Sequence, residues 1–174
     1  MKTLQSTTLQ LIQKHDYAER IKALLQLIVD DELNSIARDK VLQQNGIRRV
    51  TDIKEQSLDV ILDYAEQCLE DGILTDEEMN DIRFLKIFFG IQEGDFAKNG
   101  KMSRVKKIII EQMQKLYADD KIDANEALLK SDIQGLFGLG YAEYTDIVNQ
   151  VAKQALQRGA NINDLDTYIK PTNR

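Results

Sequence analysis

Five acidic residues in two short turns are the side chains of this sequence best suited to binding chemistry. Asp71 and Glu78 lie in "LEDGILTDEE", and Asp119, Asp123 and Glu126 lie in "YADDKIDANE". Carboxylate oxygens are hard ligands for calcium and similar divalent cations, and they also form ion pairs with arginines of a protein partner. The sequence therefore predicts a divalent-cation or basic-partner site at these five positions.

Neither turn fits the EF-hand calcium loop. If Glu126 were the last residue of such a loop, its first ligand position would be Lys115, and Asp120 would replace the required glycine. With Glu78 as the last residue, the first ligand position would be Gln67. The residues that should supply the first ligands instead continue the preceding helix.

Helix capping explains part of the same pattern. Thr75 to Glu78 reads T-x-x-E and Asp123 to Glu126 reads D-x-x-E, which are capping-box spacings at helix starts. Each cap is worth about 1 kcal/mol. Capping does not account for Asp71 and Asp119, which end the preceding helices, where negative charge is unfavourable. Two interpretations are therefore open, capping alone and a weak cation or basic-partner site.

The two turns belong to an internal repeat of helix, acidic turn, helix and glycine stop. A shift of 48 residues aligns residues 69–91 with residues 117–139, so that both acidic turns and both F-G-[IL] endings coincide. Apolar residues recur at helical spacing along the chain, and no strand-like alternation persists. This pattern predicts an all-α fold, a helical bundle of two helix–acidic turn–helix repeats with an N-terminal helical extension.

We expect three segments along the chain. They are an N-terminal helical extension over residues 1–50, the repeat domain over residues 51–158, and a C-terminal tail over residues 159–174. In the extension, apolar spacing predicts a helix through Val29 and a second helix that stops at Gly46.

Composition limits the class of partner. The 174-residue chain has a formal net charge of −6, which argues against nucleic-acid binding and favours cations or basic protein surfaces. The single cysteine, Cys68, cannot form an internal disulfide, and the sequence has neither a signal-peptide pattern nor a long apolar run. We therefore expect a soluble cytoplasmic protein.

A basic stretch, "KNGKMSRVKK", is a second candidate surface. It contains five cations and no acidic residue, and cations at a helix start oppose the helix dipole. One interpretation is contact with anionic lipid, phosphate or a membrane complex, and the other is a solvated helix face. The five cations are Lys98, Lys101, Arg104, Lys106 and Lys107.

Few residues suit catalysis. His15 is the only histidine and has no nucleophile motif beside it, so we expect no enzymatic activity. Cys68 lies on the apolar stripe of its helix, which predicts a buried thiol. Phe137, Tyr141 and Tyr144 share helical spacing, which predicts three core residues and not a binding box.

The two turns resemble those of the TerB-like family, named for tellurite resistance. Its turns read Y-A-D-G-x-[ILV]-[DST]-x-x-E and precede a helix that ends in [LF]-G-[LI]. The counterparts are "YADDKIDANE" with "LFGLG" and "LEDGILTDEE" with "FFGI", within residues 53–156. Asp120 departs from the family's usual glycine.

The resemblance implies a non-enzymatic, all-helical module that acts as an adaptor in a bacterial stress-response or defence assembly. It also implies metal binding through the acidic turns and a link to membrane-bound complexes. The charge alone supports an alternative, an acidic inhibitor such as an immunity protein that neutralises a basic toxin. Salt-dependent partner binding would favour the inhibitor, and metal-driven stabilisation without a partner would favour the adaptor.

Overall fold

A computed structural model of the chain describes residues 3–118 and 132–160. The regular structure in these two ranges is helical, which confirms the predicted all-α class. A 3-10 turn, Val50–Ile53, precedes α4, and residues 132–137 are also helical. The labelled helices are α1 (Leu4–Lys14), α2 (Glu19–Val29), α3 (Ser35–Gln44), α4 (Lys54–Asp71), α5 (Asp76–Phe88), α6 (Asp95–Lys98), α7 (Met102–Leu116) and α8 (Tyr141–Gln157).

Helix α4 lies at the centre of the fold. It packs against α1, α5 and α7, and Leu58, Ile61 and Leu62 on it are fully buried. Almost every residue from Ser57 to Leu69 is buried, the exceptions being Asp59 and Glu66. Because a helix with apolar contacts on most sides must lie inside the core, only one narrow edge of α4 is left for charged side chains.

The first two helices form a hairpin, and the predicted helix through Val29 is interrupted. Helix α1 ends at Lys14, and α2 begins at Glu19 after extended backbone at His15. The rings of His15 and Tyr17 stack with centroids 5.4 Å apart. The Tyr17 hydroxyl donates to Asp63 of α4, so a long-range contact replaces helix continuation here.

Residues of the first two proposed segments, 1–50 and 51–158, share one core. Buried side chains of α1 and α2 belong to the same apolar cluster as those of α4, α5, α7 and α8. The boundary between residues 50 and 51 stays a prediction. Within residues 3–118 and 132–160, every helix is too short or too polar to cross a bilayer.

Several helices end at a glycine with positive φ, among them those that stop at Gly46, Gly90 and Gly138. The φ angles are 69° at Gly46, 65° at Gly90 and 68° at Gly138. In each case the next N–H donates to a carbonyl five residues back, as in a Schellman motif. These bonds are Ile47 N to Leu42 O (2.9 Å), Ile91 N to Lys86 O (2.8 Å) and Leu139 N to Gln134 O (3.2 Å). The predicted stop at Gly46 is confirmed, and the two sequence-similar halves end in the same geometry.

Core predictions for individual side chains are confirmed with one exception. Cys68, Phe137 and Tyr144 are buried, as their helical spacing predicts. Tyr141 is 74% exposed, so its prediction as a core residue is wrong. It is the first residue of α8, and the core of this helix begins one turn later, at Tyr144.

Alanine substitutions at Gly46 and Gly90 separate backbone strain from steric conflict. The left-handed conformation costs a residue with a Cβ roughly 1–2 kcal/mol. A Cβ at position 90 would also lie 3.0 Å from Val50 Cγ1, whereas one at position 46 meets nothing within 4 Å. We expect urea unfolding to show a loss of about 1 kcal/mol for Gly46→Ala and about 2–4 kcal/mol for Gly90→Ala. Equal losses would show that Val50 moves aside at no cost.

Candidate functional site

An acidic stripe follows the polar edge of α4. Its members recur every three or four positions, which places them on one face of the helix. Asp71, the last residue of α4, extends the stripe into the first acidic turn. The α4 acidic surface consists of Glu55, Asp59, Asp63, Glu66, Glu70 and Asp71.

Cations of α7 neutralise the middle of the α4 acidic surface. Lys101 Nζ lies 2.7 Å from Asp59 Oδ1. Arg104 donates to Asp63 Oδ1 at 2.7 Å and to both oxygens of Glu66 at 2.9 and 3.2 Å. Burial alone would lower the pKa of Arg104, but hydrogen bonds to Glu66 and Asp63 raise it above its ordinary value. The guanidinium is therefore a fixed positive charge between the two helices.

Asp63 is the most enclosed carboxylate of the surface, with 11% of its side chain exposed. Its second oxygen accepts a hydrogen bond from the Tyr17 hydroxyl at 2.6 Å, and His15 Nδ1 lies 3.7 Å away. Burial and the hydrogen bond to Asp63 raise the pKa of Tyr17 above its ordinary value, so the hydroxyl stays protonated as the donor. The link between α1 and α2 is thereby attached to α4.

The two ends of the α4 acidic surface are open to solvent. The side chain of Glu55 is 77% exposed and that of Glu70 is 54% exposed. Lys14 pairs with Glu70, so three cations, Lys14, Lys101 and Arg104, form ion pairs with five of the six carboxylates. The surface therefore keeps a net negative charge.

A shallow groove adjoins the C-terminal end of this surface. It has a volume of about 600 Å³ and lies between α1 and α4. Its walls are polar, with Gln10, Gln13 and Lys14 from α1 facing Gln67, Glu70 and Asp71 from α4. The groove extends the polar surface from the helix edge to the acidic turn.

The first acidic turn is held from inside by α7. The side chain of Gln112, which is 0% exposed, accepts from Leu74 N at 2.7 Å and donates to Leu74 O at 3.2 Å. Lys115 Nζ donates to Leu69 O near the end of α4. Because both polar groups of Leu74 are satisfied by one buried side chain, the turn has a fixed position relative to α7.

The capping prediction for this turn is confirmed. Thr75 Oγ1 accepts from Glu78 N at 3.3 Å, and Glu78 Oε2 accepts from Thr75 N at 3.0 Å. Glu78 therefore serves the start of α5, while the exposed Asp71 ends α4 on the other side of the turn. The structure assigns these two predicted site residues to different elements.

The remaining predicted ligands, Asp119, Asp123 and Glu126, lie outside the described residues. Within the two described ranges, no three Asp, Glu, His or Cys side chains are grouped so that they could hold a metal ion. The five-residue cation site therefore stays a prediction.

The predicted basic stretch is divided among several contacts. Lys101 and Arg104 pair with α4, and Lys106 Nζ lies 2.9 Å from Glu143 of α8. Lys98 and Lys107 are exposed. Three of the five cations thus contribute to helix packing, since acidic residues distant in sequence lie beside them.

The α4 acidic surface was absent from the predicted site, apart from Asp71. Its signal in the sequence is the recurrence of acids at positions 55, 59, 63, 66 and 70, within an otherwise apolar helix. This spacing predicts one charged face. The cations that pair with it come from other helices and have no such local signal.

Comparisons with known proteins add no identification. No protein-family model matches the chain, and neither the curated proteins nor the solved structures contain a match. The resemblance to the TerB-like family stays a prediction, and function must be argued from the α4 acidic surface.

A Gln112→Met substitution tests the clamp on the acidic turn. It leaves two buried backbone groups of Leu74 without partners, each at a cost of about 1–3 kcal/mol. We expect a total loss of about 2–6 kcal/mol in urea unfolding and faster hydrogen exchange at the Leu74 amide. Gln114→Met, at an exposed position of the same helix, is the control. Unchanged exchange at Leu74 would contradict the clamp.

An Arg104→Met substitution tests the ion-pair network. We expect a loss of about 1–3 kcal/mol in unfolding free energy, because the enclosed Asp63 loses its cation. Adding Asp63→Asn should restore part of that loss, since the unpaired charge is removed. Lys107→Met is the control at an exposed position of α7. A double variant with fully additive losses would argue against coupling between the two side chains.

Proposed function

We propose that this protein is a non-enzymatic adaptor module that binds a basic partner protein through the α4 acidic surface. The observation that carries the proposal is the excess of carboxylates on one edge of α4, where three cations form ion pairs with five acids. A persistent negative charge on a folded surface attracts positively charged partners and speeds their association.

The length of the surface favours a macromolecular partner. Glu55 and Glu70 are fifteen positions apart on one helix, which corresponds to about 22 Å at the usual rise per residue. These two side chains are also the most exposed ion-paired acids of the surface. A protein surface with arginines or lysines can contact both ends at once, whereas a single cation cannot.

The rigidity of the site supports the same function. Arg104 fixes the middle of the surface, and Gln112 fixes the acidic turn that follows it. A surface that is already ordered loses less conformational entropy when it binds. Glu55 and Glu70 can therefore engage a partner without rearrangement of α4.

The proposal agrees with the function that the TerB-like resemblance implies. In that case the module would act in a bacterial stress-response or defence assembly in the cytoplasm. Asp71 connects the two arguments, because it belongs both to the α4 acidic surface and to the motif that carries the resemblance. A divalent cation at the acidic turns would be a further ligand of the same module.

A charge-neutral variant tests the proposed partner binding. The tagged full chain is used to capture partners from a lysate of its host at low and at high salt. The test variant carries Glu55→Gln, Glu70→Gln and Asp71→Asn, and the control carries Asp30→Asn, Glu32→Gln and Asp146→Asn at exposed positions elsewhere. We expect a basic partner that is retained by the wild type and the control and lost with the test variant.

The affinity of the purified partner makes the test quantitative. Three exposed ion pairs, each worth about 0.2–1 kcal/mol, predict a Kd about tenfold weaker for the test variant. The wild-type affinity should also fall as salt increases. A partner that binds all three proteins equally well, or whose binding does not depend on salt, would contradict the use of this surface.

A further inference from the structure

A pocket lies where two of the glycine-terminated helix ends meet. Its volume is about 500 Å³, within the range of small-molecule sites. One wall is formed by residues 91–94, which follow α5, and the other by residues 137–140, which precede α8. The pocket is thus separate from the α4 acidic surface.

Glycines allow the two walls to approach. A Cβ on Gly138 would lie 3.9 Å from the backbone nitrogen of Gly94, so the two loops are nearly in contact. Phe96 and Phe137 line the pocket and pack edge to face, with ring centroids 5.5 Å apart. Each ring is only 2% exposed, so the two rings lie behind the peptide groups that form the walls.

Lys86 is the cation of this pocket. Its half-buried side chain extends from α5, and its ammonium donates to Leu136 O at 2.6 Å. Burial and, to a smaller extent, the nearby Arg83 lower the pKa of Lys86 below its ordinary value. A carboxylate bound beside Lys86 would offset both effects on its pKa, because a nearby negative charge favours the protonated ammonium.

Lys86 differs from several other lysines in the described part of the chain because it has no carboxylate partner. In the described part of the chain, no carboxylate oxygen lies within 4.0 Å of Lys86 Nζ. Six other lysines have such a partner: Lys14, Lys22, Lys54, Lys101, Lys106 and Lys115. An ammonium has three N–H donors, so a ligand can accept from Lys86 beside Leu136 O.

We propose that this pocket binds a small organic carboxylate, with its carboxylate on Lys86 and the rest of the molecule between the walls formed by residues 91–94 and 137–140. Gln92 and Gln134 also line the pocket and supply amide donors and acceptors. Glu93 is the acidic residue of the lining. It would favour a ligand that also carries an ammonium group, so the carboxylate could belong to a free amino acid or to a simple organic acid.

Three probes of similar shape test this site. Free leucine carries a carboxylate and an ammonium, isocaproate carries only the carboxylate, and isoamylamine carries only the ammonium. Each is titrated into the full-length protein to about 10 mM, a range that detects fragment-sized ligands. Amide shifts of Gly94, Gly138 and Gly140 in nuclear magnetic resonance spectra report binding. We expect saturable shifts with at least one carboxylate and none with isoamylamine.

Two variants locate the binding. Lys86→Met removes the charge, and Gly135→Leu fills the pocket without removing Lys86. Gly135 lies in a helical segment at a backbone conformation that other residues adopt, and a Cβ there meets nothing within 4 Å, so a side chain can begin there without backbone strain. Lys107→Met is the control. We expect binding at least tenfold weaker in both pocket variants and unchanged in the control.

The outcomes decide between the sources of the carboxylate and test the site itself. Binding of leucine alone would assign the pocket to amino acids, and binding of isocaproate alone would assign it to simple organic acids. Carboxylate binding that persists unchanged in Lys86→Met and Gly135→Leu would overturn the proposal. So would the absence of saturable shifts with both carboxylates, or equal shifts with isoamylamine.

Discussion

The burial of α4 on most of its circumference is the constraint on which the rest of the structure depends. Leu58, Ile61 and Leu62 hold this helix between α1, α5 and α7, so its charged residues share one edge. Carboxylates along one helix edge repel one another. Cations of the neighbouring helices reduce this repulsion by forming ion pairs with them. Asp63, the most enclosed carboxylate of the α4 acidic surface, accepts from both Arg104 and Tyr17, as expected for a charge that is costly to bury alone. Core packing and surface charge are therefore consequences of the same helix placement.

Much of the fold could be predicted because its signals are local. Apolar residues at helical spacing locate most helices, and Gly46 marks a helix end through its tolerance of positive φ. The T-x-x-E spacing likewise predicts the cap between Thr75 and Glu78. The interruption after α1 has no comparable signal, because it depends on a hydrogen bond from Tyr17 to Asp63 of another helix. The prediction that Tyr141 is a core residue is wrong for a similar reason, since periodicity gives the buried face of a helix but not the point where the core ends.

The candidate site was predictable only at its C-terminal end. The acidic turn identifies Asp71, whereas the acids from Glu55 to Glu70 recur every three or four positions, a pattern that is visible in the sequence once the other faces of α4 are known to be buried. The pairing of Lys101 and Arg104 with α4 depends on which helices are neighbours. The basic stretch contains no acidic residue and therefore predicts a positive patch. Most of its charge, however, forms ion pairs with other helices. The pocket at Lys86 is even harder to predict from the sequence, because its two walls come from loops that are distant in sequence.

The clamp between Gln112 and Leu74 has a consequence for modularity. The two sequence-similar halves look like units that duplication could have joined and that recombination could separate. Yet α7, which begins the second half, provides Lys101 and Arg104 for α4 and Gln112 for the turn of the first half. A fragment that ended before α7 would expose buried backbone groups and leave α4 with an unbalanced row of charges. The two halves therefore depend on each other for stability, and a recombination of this chain should keep both or lose both.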